Sequence, residues 1–240
     1  MGDGAAPVRL PLVELMGPAG AGKSTVFQSL LARDPAFLKT PTVWRKRYAA
    51  IVAVNFVGVV ATLIRHGVIK PEGGTEQLGV MMYVQTMPRV LRELGSAGNS
   101  AIVFDQGPLF LLTRHNFMDE PLVTWWNRML DTWAPLLDVV VRLDAPDTLL
   151  RERINTREKS HALKGADRRS ALDVFRRSRQ VYERTLEAVA ARPGGPMILR
   201  FDTSTRSADE IADAILSAIH AGAGSGPNAR VEPALRRSGQ

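Results

Sequence analysis

Apolar residues in this chain gather into short runs that lack a regular alternation with polar ones. Residues 10–16 (LPLVELM), 101–104 (AIVF), 137–143 (LDVVVRL) and 197–201 (MILRF) are such runs. Apolar stretches of this length without a two-residue alternation predict strands buried on both faces. A further short strand is expected within 37–44, ending near the Pro41 turn. Between the runs, apolar positions recur at helical spacing. Helices are predicted over 23–33, 45–66, 75–94, 108–114, 121–133, 146–157, 167–191 and 207–220. Gly and Pro punctuate them: 67–74 and 95–99 read as loops, and Asp144 and Pro146 open the helix at 146. Strands separated by helices argue a parallel sheet covered on both faces. Ligands of such sheets sit beyond the carboxyl ends of the strands, so the informative residues should follow the strands.

The chain has 240 residues, 45% of them apolar, enough for one α/β core. Residues 1–9 are expected to be flexible, 10–220 to form the domain, and 221–240 to be a disordered tail. That tail is rich in Gly, Ala, Pro and Arg and cannot bury enough apolar area to offset its ordering entropy. The absence of Cys excludes disulfides and thiolate metal sites. The first residues lack the charged start and apolar run of a signal peptide, which reads as cytoplasmic. Net charge is +7, and it is concentrated. Residues 151–184 hold eleven Arg/Lys against five Asp/Glu, a stretch that attracts anions of any kind.

Residues 49–64 form a sixteen-residue uncharged stretch bracketed by Lys46-Arg47 and Arg65-His66. It is shorter than the roughly 20 residues of a spanning helix and contains Asn55, so it reads as a buried or interface helix, with no transmembrane segment expected. An exposed apolar face there would favour a homodimer.

Chemistry enters after the first strand. Gly17-Pro18-Ala19-Gly20-Ala21-Gly22-Lys23-Ser24-Thr25 is G-x-x-x-x-G-K-S, the phosphate-binding loop known as the P-loop or Walker A motif. Such a loop wraps phosphate with inward N–H groups, and the helix that follows adds its positive end. Lys23 is expected to reach the β- and γ-phosphates, and the Ser24 hydroxyl to ligate Mg²⁺. The run 101–104 ends in Asp105, placed to hold Mg²⁺ or to accept the acceptor's proton. Gln106 follows where motor-type ATPases carry Glu, and no N-K-x-D guanine-reading sequence is present. Arg153 and Arg157 are four apart and share a helix face, with Lys159, His161 and Lys164 beyond. A lid over about 153–168 that closes cations over a phosphoryl group in flight fits this pattern. Acceptor candidates are Arg45, Gln85, Arg89, Gln106 and Arg114, with Trp44, Arg47, Tyr83, Trp125 and Trp126 as further candidates.

The phosphate loop, the strand ending in Asp105 and the R-I-x-x-R of Arg153 to Arg157 together resemble the thymidylate kinase-like branch of nucleoside and nucleotide kinases. The resemblance covers roughly residues 10–220. It implies a three-layer P-loop NTPase fold: a five-stranded parallel sheet, helices on both faces and an arginine-rich lid. It also implies Mg-ATP as donor and an acceptor bound between the central helices. Gly17, Ala19, Gly20, Ala21, Gly22, Lys23, Ser24, Thr25 and Arg153 would hold the nucleotide, with Asp202 and Thr203 near the adenine. Lys23, Asp105, Arg153 and Arg157 would be catalytic, and Ser24 and Asp105 would hold the metal. Where thymidylate kinases follow the Asp with Arg and an aromatic residue, this chain has Gln106-Gly107-Pro108. The expected activity is ATP-dependent phosphoryl transfer to a small molecule. A nucleoside or nucleotide is slightly favoured over a sugar or apolar alcohol, and nucleic acid is disfavoured. The alternative is a regulatory P-loop ATPase without such an acceptor.

Overall fold

A computed structural model describes residues 9–40, 42–67, 74–94, 100–114, 117–119, 121–157 and 162–224. Five strands, β1 (Leu12–Met16), β2 (Phe37–Lys39), β3 (Ala101–Phe104), β4 (Val139–Asp144) and β5 (Met197–Asp202), form one sheet in the order β2-β3-β1-β4-β5. Every pairing is parallel, and central Val13 sits opposite Val103 on one side and Val139 on the other. β1, β3 and nearly all of β4 are buried, as their largely apolar, non-alternating sequences suggest, although Glu14 and Arg142 are charged; the edge strand β5 is only partly covered. The order changes direction around β1, whose carboxyl end therefore opens onto the crevice where such sheets bind ligands.

The helices are α1 (Lys23–Arg33), α2 (Ala49–Arg65), α3 (Gly74–Leu94), α4 (Pro108–Leu112), α5 (Val123–Trp133), α6 (Asp147–Thr156), α7 (Arg168–Ala190) and α8 (Ala208–Gly224). Strand alternation divides the core in two. Leu12, Met16 and Phe104 face one side, with Met87 of α3, Trp125 and Trp133 of α5 and Leu186 of α7. Val13, Leu15, Val103 and Val141 face the other, with Phe27 of α1, Leu150 of α6 and Ile215 of α8. Trp133 packs edge-on to Phe104 at 6.1 Å and donates its Nε1–H to the Val84 carbonyl at 3.1 Å, so its polar atom is satisfied inside the core.

Sequence and structure differ in several places. The predicted helix 45–66 begins as a 3₁₀ turn (Lys46–Tyr48) before α2. Arg9, expected in a flexible start, pairs with Asp138 at 2.7 Å and donates to the Leu136 carbonyl, which ties it to the base of β4. α8 continues to Gly224, so the first four residues of the expected tail are helical; 225–240 lie outside the described residues. The expectation that 49–64 is a buried or interface helix is met on one side only. Among its residues Asn55, Val59 and Leu63 are buried, one stripe at four-residue spacing against α3. Val54 is 65% exposed and Val57 69%.

Candidate active site

The turn from β1 into α1 brings backbone, not side chain, to the front of the sheet. Gly17 is required there: its φ is 153°, and a Cβ would lie 2.3 Å from the Leu143 carbonyl oxygen of β4. Lys23, the first residue of α1, folds back so that Nζ donates to the carbonyls of Gly17 at 2.7 Å and Pro18 at 3.0 Å. Enclosure of this ammonium lowers its pKa to about 8; Asp105 opposes the shift, and Arg142 and Arg157 reinforce it.

Arg153 of α6 braces the loop at the edge of the cavity. Its guanidinium donates to Gly20 O at 3.2 Å, Thr203 Oγ1 at 2.9 Å and Thr203 O at 3.1 Å. Thr203 in turn donates its N–H and hydroxyl to Asp144 O at 2.8 and 3.1 Å. The phosphate loop, α6, the end of β4 and the turn after β5 thus form one hydrogen-bonded frame.

A cavity of about 850 Å³ opens in front of this frame. It is lined by the phosphate loop, Lys23, Ser24, Thr25, Asp105, Gln106, Arg153, Arg157 and Thr203. Its far wall is Phe110 of α4 with Phe175, Ser178 and Tyr182 of α7. Phe110 and Tyr182 lie 6.3 Å apart, and Lys23 Nζ is 6.0 Å from the Phe110 ring. Asp105 comes here because β3 pairs with β1 and ends beside the loop.

Other sequence candidates lie elsewhere. Ala21 faces the core, and Asp202 accepts from Ser204 N at 2.8 Å on the rim of a second, smaller hollow. Arg89 donates to Asn55 Oδ1 at 2.7 Å across α2 and α3, and Gln85 accepts from Trp125 Nε1 at 3.4 Å. Arg114 pairs with Glu76 at 2.6 Å, and Arg45 is exposed ahead of α2. None of these four lines the cavity. Lys159 and His161 of the expected lid lie outside the described residues, whereas Lys164 donates to the Arg157 carbonyl at 2.7 Å.

Two charged residues beside the site come from strands and escaped the sequence reading. Glu14, fully buried in β1, accepts from Leu109 N at 3.0 Å and Phe110 N at 2.7 Å. It thereby holds the start of α4, directly after Asp105-Gln106-Gly107. Gly107 makes the approach feasible, since a Cβ there would be 2.5 Å from Glu14 Cδ. Burial pushes the Glu14 pKa up to about 8 against the lowering effect of its two N–H donors. Arg142, buried in β4, lies 5.0 Å from the Tyr182 ring and pairs with Asp144 at 3.1 Å. Arg179 of α7 grips the same Asp144 at 2.7 Å and Asp147 at 2.5 Å. The available signal was a charge interrupting an otherwise apolar strand, in LVELM and in VVVRLD.

The residues fit a magnesium–triphosphate. Loop N–H groups and Lys23 suit phosphate, and Ser24 and Asp105 offer hard oxygen donors. Mg²⁺ is commonly bound by one or two protein oxygens plus phosphate, the number that Ser24 and Asp105 would supply.

The chain belongs to the AAA domain family, whose model matches residues 12–185. Its fold is that of P-loop kinases. The YorR protein of Bacillus subtilis, solved with phosphorylated GDP, is 16% identical, with a TM-score of 0.51 over 90% of this chain and 99% of that one. Thymidylate kinase from Candida albicans is also 16% identical, with a TM-score of 0.51 over 89% of this chain and 92% of its own. No curated protein matches the sequence.

Proposed function

We propose that this chain transfers the γ-phosphate of Mg-ATP to a small-molecule acceptor, a nucleoside or nucleotide in preference to a sugar or apolar alcohol. The carrying observation is that the phosphate loop, Lys23, Asp105 and Arg157 meet on one cavity of about 850 Å³, a size suited to a nucleotide with room beside its phosphates. Mg²⁺, when bound, would neutralise charge on the β- and γ-phosphates. Ser24 and Asp105 are the residues that would hold it. The Lys23 ammonium would leave the loop carbonyls for phosphate oxygens, which compensate its desolvation better. Arg157, exposed at the end of α6 and facing the cavity, would stabilise the moving phosphoryl group, while Arg153 keeps the loop in shape. Asp105, where it is not a metal ligand, would align and deprotonate the acceptor. The Phe110 and Tyr182 rings give a planar acceptor a surface to lie on, and the fold shared with thymidylate kinase supports the nucleotide preference. A cytoplasmic location goes with this reading.

A second reading, a P-loop ATPase without such an acceptor, draws on the partners already held by Arg89 and Arg114. One experiment separates the two: ADP release from Mg-ATP against nucleosides, nucleoside monophosphates, sugars and hydrophobic alcohols. Release that rises with one acceptor class and vanishes in Lys23→Ala establishes the kinase. Slow release indifferent to every acceptor establishes the second reading. Asp105→Asn then sorts its roles, since a base affects the chemical step alone and a metal ligand also weakens Mg-ATP binding.

A further inference from the structure

α2 reverses the usual arrangement of a surface helix. Its buried stripe contains a polar residue, Asn55, which donates to Thr86 Oγ1 at 3.0 Å and accepts from Arg89 at 2.7 Å. Its outward face is apolar throughout: Ala50, Ala53, Val54, Val57, Ala61 and Ile64 are all exposed. Val54, Val57 and Ile64 are each 64–69% exposed, so no described residue packs over them. Charge frames this face. Trp44, 61% exposed, precedes Arg45, Lys46 and Arg47 at one end, and Arg65 closes the other. Between Asp34 and Glu72 the sequence has no acidic residue.

We propose that α2 docks flat on an anionic membrane surface, its outward face entering the headgroup boundary and its terminal cations meeting lipid phosphates. An apolar stripe flanked by an aromatic residue and cations is the composition of helices that lie in that interface. Here the body of the domain replaces the helix's own polar face. Lys46–Arg65, the 3₁₀ turn and α2 together, is 20 residues and is long and apolar enough to cross by length and composition, more than the sequence suggested. Its inner stripe, however, is hydrogen-bonded to α3 through Asn55, which favours a helix that lies flat. A second copy of this chain is the poorer occupant. Both helix ends are cationic, so parallel and antiparallel pairing alike set cation against cation, with no acid on the segment to offset them. An anionic bilayer neutralises both ends at once. The surface is independent of the phosphoryl-transfer reading and would stand if that reading fell.

The test is flotation of the full-length protein with vesicles of phosphatidylcholine alone and with roughly one-third phosphatidylglycerol. Partitioning should be at least about tenfold stronger on the anionic vesicles, with Trp44 quenched by brominated lipid. Replacing both Arg45 and Arg47 by Ser should weaken binding about 30-fold, roughly fivefold for each cation near the surface. Val57→Glu, at an exposed position that leaves the core intact, should abolish flotation with an unchanged circular dichroism spectrum. Absence of flotation on anionic vesicles overturns the proposal, as does equal flotation on neutral ones. It is also overturned if the wild type sediments as a dimer that Val57→Glu dissociates while vesicles capture neither protein.

Discussion

Glu14→Gln tests the buried carboxyl that anchors α4. Because burial raises its pKa from 4.5 to about 8, the folded state keeps a proton that the unfolded state releases. Stability is therefore fully present below the unfolded value and is lost as pH rises through the folded one, with the slope set by that one proton. Over the two pH units from about 6 to 8 the loss is on the order of 3 kcal/mol at 1.36 kcal/mol per unit. This is a large share of the roughly 5–15 kcal/mol that stabilises a typical domain. Glutamine cannot ionise, so the variant lacks this component. It does turn an amide N–H₂ toward one of the two backbone donors, Leu109 N or Phe110 N, at a cost of about 1–3 kcal/mol. Urea unfolding of both proteins across this range isolates the residue, because every other titration is common to the two. The variant should be less stable near pH 6, and the gap should close or reverse near pH 8. A stability difference that stays constant with pH would refute the reasoning, since Glu14 would then be ionised throughout and held by its two N–H donors alone.

Three further outcomes follow from the same geometry. Because Lys23 titrates near 8 when free and phosphates favour its charged form, binding of Mg-ATP near pH 8 should take up about half a proton. Calorimetry in buffers of different ionisation enthalpy measures this, and a buffer-independent heat would contradict it. Gly17→Ala should lower nucleotide affinity by more than about tenfold, because a methyl group 2.3 Å from the Leu143 carbonyl must displace the loop or β4; wild-type affinity by fluorescence titration would show that it does not. Asn55→Leu removes the partner of both Thr86 and Arg89 and should destabilise the protein by about 1–3 kcal/mol in urea, although it adds apolar surface.

What the sequence made legible was local. The strands could be read because the interior of a covered parallel sheet favours apolar runs without alternation, and the phosphate loop because its dihedrals demand glycine at fixed spacing. The acceptor cations could not be placed, because their partners lie far along the chain. Arg114 meets Glu76, and Arg89 meets Asn55, through the packing of α2, α3 and α4 rather than through any local pattern. α2 illustrates a second limit. An apolar helix reads the same whether its outer face is covered or bare, so only the structure exposes Val54 and Val57. Glu14 and Arg142 belong to a third group: each showed as a charge in an apolar strand, but what each holds depends on which face the strand presents and which helix crosses it.

These two strand residues also explain the electrostatics of the cavity. Arg142 and Arg157 both act on Lys23 and lower its pKa, so three cations share a space opposed mainly by Asp105. An ionised Glu14 at the start of α4 would add an anion close behind Asp105. Held as the neutral acid at physiological pH, it keeps α4 in place through its oxygens without cancelling that positive field. The arrangement suits a site that stays vacant until a polyanion arrives. It also fixes an upper pH limit, because Glu14 gains its charge and Lys23 loses its own in the same range near 8. Above it phosphate affinity should fall, whereas the stability lost through Glu14 has already gone between about 4.5 and 8. Saturating nucleotide should offset part of the Glu14 loss, because a ligand that binds only the folded state stabilises it by mass action.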